Sequence, residues 1–169
     1  QIEKVIDVES IDNGVLPVPM PGLITDILVS MDDKYLYFSN WFHGDLRQYD
    51  ISNPSKPKLT GQVWIGGMLG KADMVNGRNV HGAPQMIQLS LDGKRLYVTT
   101  SLFSSWDNQF YPEMKENGGI MLIIDCDVKN GGMQIRDNFI IDFSNEPNGP
   151  SRAHETRYPG GDCSSDIWV

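Results

Sequence analysis

A fourteen-residue pattern occurs twice in this chain. ILVSMDDKYLYFSN, residues 27–40, superposes on IQLSLDGKRLYVTT, residues 87–100, at an offset of 60. Six positions coincide: Ile27 with Ile87, Ser30 with Ser90, Asp32 with Asp92, Lys34 with Lys94, Leu36 with Leu96 and Tyr37 with Tyr97. A repeated unit buries the same faces twice, which points to stacked units of one architecture. Each copy interrupts alternating apolar residues with an Asp-centred turn, the signature of strand–turn–strand. LRQYDI (46–51) and IMLIID (120–125) are the next strand candidates, and VWI (63–65) and FIIDF (139–143) finish the two units. The prediction is a four-stranded meander used twice, in units spanning 22–66 and 84–143. A helical repeat would need apolar residues three and four apart, whereas these segments repeatedly meet Gly, Pro and Asp.

The fold class is therefore all-β. IMLII is apolar on both strand faces and too short to span a membrane, which fits a sheet between two neighbouring sheets. Adjacent blades of a β-propeller cover such faces and shelter short strand edges. Two blades cannot enclose a channel, since propellers use at least four. The expectation is a partial β-propeller, with marginal folding on its own and QIEKVIDV as an outer strand of a preceding unit. The stretch 72–84 reads as a flexible bridge between the units. The insertion SSWDNQFYPEMKENGG (104–119) brings Trp106, Phe110 and Tyr111, either to pack over the sheet or to wall a site.

With 169 residues and 40% hydrophobic composition the chain carries enough apolar material for one sizeable core. Its 14 basic and 22 acidic side chains give a net charge of -8, which disfavours general attraction to nucleic acid or anionic membrane. No apolar run reaches the length of a transmembrane helix, and QIEKVIDVES lacks the regions of a signal peptide. Two cysteines, Cys126 and Cys163, make no extracellular disulfide framework. A cytoplasmic location is expected, with nuclear or peripheral membrane association as extensions.

Three histidines stand beside glycine or acidic residues. In NWFHGDLRQYD, His43 is either a metal ligand oriented by Asp45 or a turn histidine with Asp45 paired to Arg47. His81, in NVHGAPQM, reads as an exposed or capping residue. His154 and Glu155 precede the turn RYPGGD, so His154 offers either a metal-binding or a structural imidazole, and Glu155 either orients it or accepts a proton. Asp162 and Asp166 are cation ligands or solvated turn carboxylates. Cys126 reads as a partly buried strand residue, and Cys163 as a secondary candidate for chemistry that would need a lowered pKa.

NWFHGDLRQYDISNPSKPKLTGQVWIGG, GAPQMIQLSLDGKRLYVTTSLFSSWDNQFYP and AHETRYPGGDCSSDIWV closely resemble the carboxyl-terminal part of the selenium-binding protein 1 family, also called methanethiol oxidase. The resemblance covers nearly all of the chain and implies about two blades of a seven-bladed parent. It implies copper-dependent oxidation of methanethiol by oxygen and water to formaldehyde, hydrogen sulfide and hydrogen peroxide. It also implies selenium binding, through a family cysteine expected in an upstream region. The alternative is a noncatalytic propeller that binds selenium or a protein partner in intracellular transport. His43 and His154 match the histidines of the family motifs and carry the metal-site expectation, with Asp45 and Glu155 as the residues that would orient them. His81 departs from the family pattern, and the bridge before it is shorter than in vertebrate members. The missing propeller blades are then partners of this chain, alongside methanethiol and oxygen.

Overall fold

A computed structural model describes residues 2–157. Its eight strands form two antiparallel four-stranded sheets, each in simple meander order. The first comprises β1 (Ile24–Val29), β2 (Tyr35–Asn40), β3 (Asp45–Asp50) and β4 (Lys58–Trp64). The second comprises β5 (Ile87–Leu89), β6 (Arg95–Thr99), β7 (Ile120–Cys126) and β8 (Met133–Asp142). Two short helices, α1 (Ser104–Phe110) and α2 (Met114–Asn117), lie between β6 and β7. These are two blades of a β-propeller.

The repeated residues build the same hairpin in both blades. Ser30 Oγ donates to Asp32 Oδ1 and Ser90 Oγ to Asp92 Oδ1, each at 2.6 Å. Each aspartate then accepts the amide of the lysine two residues on, Lys34 at 3.2 Å and Lys94 at 3.1 Å. This Asx arrangement closes the turn without help from the rest of the chain. The next residue is left-handed in both copies, Asp33 at φ +56° and Gly93 at φ +71°, which accounts for DD in one and DG in the other.

β1 lies against β5 and β4 against β8, so the blades stack in the same radial order. Between them runs one apolar core: Leu28, Tyr35, Tyr37, Leu46, Val63 and Ile65 from the first blade meet Ile87, Leu89, Leu96, Val98, Leu122 and Ile124 from the second. β7 is buried on both faces, Leu122 and Ile124 on one and Ile123 on the other. Polar bonds cross the boundary at several radii. Asp26 Oδ2 accepts from Ile87 N at 2.8 Å, and Ser39 Oγ donates to Gln85 O at 2.7 Å. Farther out, Gln48 Oε1 accepts from Gly132 N at 2.7 Å and Lys34 Nζ donates to Lys129 O at 2.9 Å.

Several elements differ from the sequence reading. β4 and β8 begin well before 63 and 139, because polar residues there still pair with the neighbouring strand, Lys58 with Asp50 and Gln134 with Asp125. Residues 2–10 form no strand; the first pairing is the bridge between Ile11 and Met20. The sheet such a strand would complete is not among the described residues. The bridge 72–84 is tied down: Val75 pairs with Arg78 and is buried, as are Gly82 and Ala83. The insertion 104–119 packs as a cover. Its Tyr111 ring meets Trp41 edge-on at 4.8 Å and donates its hydroxyl to Trp41 O at 2.8 Å. Phe110 meets Trp41 at 5.5 Å and Phe42 at 5.0 Å, completing an aromatic cluster at one end of the blades.

Candidate functional site

His43 lies in the turn from β2 to β3. The following Gly44 has φ +84°, and a Cβ there would sit 2.3 Å from Gly66 O, so only glycine allows this approach of two loops. His43 is thereby fully buried, with Nε2 3.0 Å from Met20 O. A carbonyl only accepts, so Nε2 carries the proton and Nδ1 the lone pair. That Nδ1 is buried without a hydrogen-bond partner. Asp45 does not orient it. Its carboxylate is buried and accepts from Asn40 Nδ2 at 3.0 Å, Arg47 Nε at 2.7 Å and Gln62 Nε2 at 2.6 Å. Of the two sequence alternatives, Asp45 takes the pairing with Arg47.

His154 has the opposite setting. The segment 151–157 crosses the end of the second blade, where Thr99 Oγ1 donates to His154 O at 2.6 Å. The ring Nδ1 lies 2.6 Å from Leu102 O and must donate to it, which leaves the Nε2 lone pair on an exposed side chain. Glu155 pairs with Arg157 at 3.2 Å and makes no bond to the imidazole. His81, in the bridge between the blades, is half-buried.

The two motif histidines share surroundings. Met20, which accepts from His43, belongs to the aromatic cluster, and Leu102, which accepts from His154, packs against it. Yet among the described residues no group of three His, Cys, Asp or Glu is placed to hold a metal ion. In kind the donors suit copper, since a neutral imidazole nitrogen is a good copper ligand. In number they supply one lone pair each.

Sequence reasoning passed over Asp26. It follows an irregularity in the β1–β2 register and bonds Ile87 N on the inner strand of the next blade. Burial holds its carboxyl above the ordinary range, opposed by the amides of Ile87 and Ile27; Glu155 adds to the rise and His154 opposes it. Asp26 is thus in the field of the His154 motif, and a carboxylate inside the apolar run ITDILV was the available signal. Cys126 is buried, and burial pushes its thiol up to about 12, as befits a strand residue and not a nucleophile. Cys163, Asp162 and Asp166 lie outside the described residues.

The fold and the site define a stretch of β-propeller that presents an oriented histidine at the end of its second blade. The family described as 56kDa selenium binding protein (SBP56) matches residues 1–169, and the chain belongs to that family. It is 58% identical to a methanethiol oxidase of Rattus norvegicus and 56% identical to selenium-binding protein 2 of Mus musculus. Both alignments cover 99% of this chain and 39% of the relative, so the chain spans well under half the length of the curated relatives it matches. The X-ray structure of a hypothetical selenium-binding protein from Sulfolobus tokodaii superposes with a TM-score of 0.75 and 48% identity, over 86% of this chain and 30% of that one. No helix among the described residues is long and apolar enough to cross a membrane.

Proposed function

We propose that the chain is the carboxyl-terminal portion of a copper-dependent methanethiol oxidase, which converts methanethiol, oxygen and water to formaldehyde, hydrogen sulfide and hydrogen peroxide and also associates with selenium. The observation that carries this reading is the exposed Nε2 lone pair of His154, held in place through Nδ1 by Leu102 O. His154 would hold copper, with His43 as the second imidazole if its enclosing loops admit the metal. Bound copper supplies a soft Lewis acid for the sulfur and a one-electron path to oxygen.

The chain's own groups supply the setting. Leu102 O fixes the His154 proton on Nδ1 and leaves Nε2 as the nitrogen that faces outward. Glu155 and Asp26 place carboxylates in the field of that ring, acceptors for the proton a thiol releases. The remaining ligands belong to other blades of the parent. The face of β1 away from the second blade, with Ile27 57% and Val29 43% exposed, is the surface a preceding blade would cover.

The test is oxygen uptake and hydrogen sulfide release by the folded, copper-loaded, full-length protein carrying this sequence. His154→Ala is expected to lower both by more than about 10–100-fold, the loss typical when only a partner behind a metal ligand is removed. No uptake with methanethiol by the unsubstituted protein would remove the oxidase reading and leave a noncatalytic selenium- or protein-binding propeller.

A further inference from the structure

His154 is embedded in a closed circuit of polar contacts whose centre lies 47 positions earlier in the chain. Asp107, on α1, is fully buried. Its Oδ1 accepts from Leu102 N at 3.1 Å, and its Oδ2 accepts from Ser101 Oγ at 2.6 Å. Leu102 is the residue whose carbonyl accepts from His154 Nδ1, so the carboxylate braces the peptide segment that fixes the imidazole. On its other side Asp107 faces Arg152, two residues before His154, with Nη1 3.4 Å from Oδ2. Arg152 extends the grip through Nη2 to Asn108 Oδ1 at 2.6 Å and Nη1 to Ser104 O at 3.3 Å. One buried carboxylate therefore holds both ends of the histidine's support: the carbonyl strand beneath the ring and the backbone leading into it.

We propose that Asp107 is a positioning residue for His154, acting with Arg152 to hold the imidazole against Leu102 O so that its proton stays on Nδ1 and Nε2 faces outward. A carboxylate accepts along several directions at once, whereas a carboxamide at the same place has one acceptor oxygen and no charge for the guanidinium. With the charge gone, Arg152 and the segment behind it lose their fixed anchor, and the ring is free to sample its other tautomer. α1 is thus more than a cover over the aromatic cluster: the insertion carries the part that sets the histidine. The inference rests on the reading of His154 as the exposed donor of the site, but not on copper or on turnover.

The experiment is nitrogen-15 spectroscopy of the histidine rings in the metal-free, full-length protein, in mildly alkaline buffer, with His154 assigned by its loss in His154→Gln. The expected spectrum has His154 protonated at Nδ1 alone, with Nε2 at the unprotonated position. Asp107→Asn and Arg152→Gln are each expected to shift both ring nitrogens toward the averaged position of mixed tautomers, while His43, held by Met20 O, keeps its own. A merely structural role for Asp107 would move the melting temperature without moving the His154 nitrogens. A His154 protonated at Nε2 in the unsubstituted protein overturns the proposal, and so does an unchanged ring in the folded variants. If Asp107→Asn does not fold, Arg152→Gln decides, since 10% of the Arg152 side chain is exposed where Asp107 is wholly buried. Because metal and substrate are absent, this result and the oxidase test fail independently.

Discussion

Cys126 shows how far a residue's chemistry depends on where the strand puts it. Cys126 ends β7 inside the core between the blades, and burial pushes its thiol up to about 12. Only thiolate reacts, so a Cys163→Ser protein should be modified at Cys126 on the order of 10³-fold more slowly when native than when unfolded in mildly alkaline buffer, a ratio readable with any chromogenic disulfide reagent. Equal rates would mean that the core does not close over it. The HGD motif illustrates the opposite case. In the structure Asp45 opens β3, and side chains two apart on a strand share a face, so it meets Arg47 and not the histidine in the preceding turn. What no local rule contains is the capture of Asp45 by Gln62, or of Asp107 by Arg152, because those partners meet only after the strands have paired.

At the scale of elements, the hairpins were legible outright and the cover only as one of two alternatives. Ser-x-Asp-x-Lys specifies its own turn through contacts no more than five residues apart, so the pattern appears in the sequence as plainly as in the structure. Hydrogen bonds from Ser30 and Ser90 hold the carboxyls of Asp32 and Asp92 below their ordinary value of 3.8. A depressed carboxyl contributes stability that is present above the unfolded value and lost as pH falls through the folded one. Stability should therefore decline as pH drops below about 4, and Asp32→Asn with Asp92→Asn should flatten that decline in chemical denaturation curves. Gly93→Ala should cost about 1–2 kcal/mol, since alanine would be left-handed there and its Cβ 3.2 Å from Val128 Cγ1; Asp33→Gly should be near neutral. Equal effects of these two changes would contradict the shared turn. The 104–119 insertion, by contrast, has helices of only seven and four residues, too short to show a helical period, and its packing partner Trp41 is more than 60 residues away.

For the whole molecule, the offset of 60 was the decisive sign, because two copies of a meander have few ways to share a core. The ladder order and the contact of β1 with β5 and of β4 with β8 describe neighbouring blades. The site was less legible, since a histidine in a loop reports its presence but not which carbonyl it will meet. The boundary between the blades has a consequence of its own. Asp26 with Ile87, Ser39 with Gln85, Gln48 with Gly132 and Lys34 with Lys129 cross it from the inner strand to the outer turns, around an apolar core drawn from both sides. The peptide between the blades, exposed at Asn76 and Gly77, is one tether among many. A protease cut at that point should leave the halves co-eluting on a sizing column under native conditions and parting only in denaturant. The same seam would then serve as a split point: two separately expressed halves that find each other and restore the fold, with new chain ends available where the old link ran.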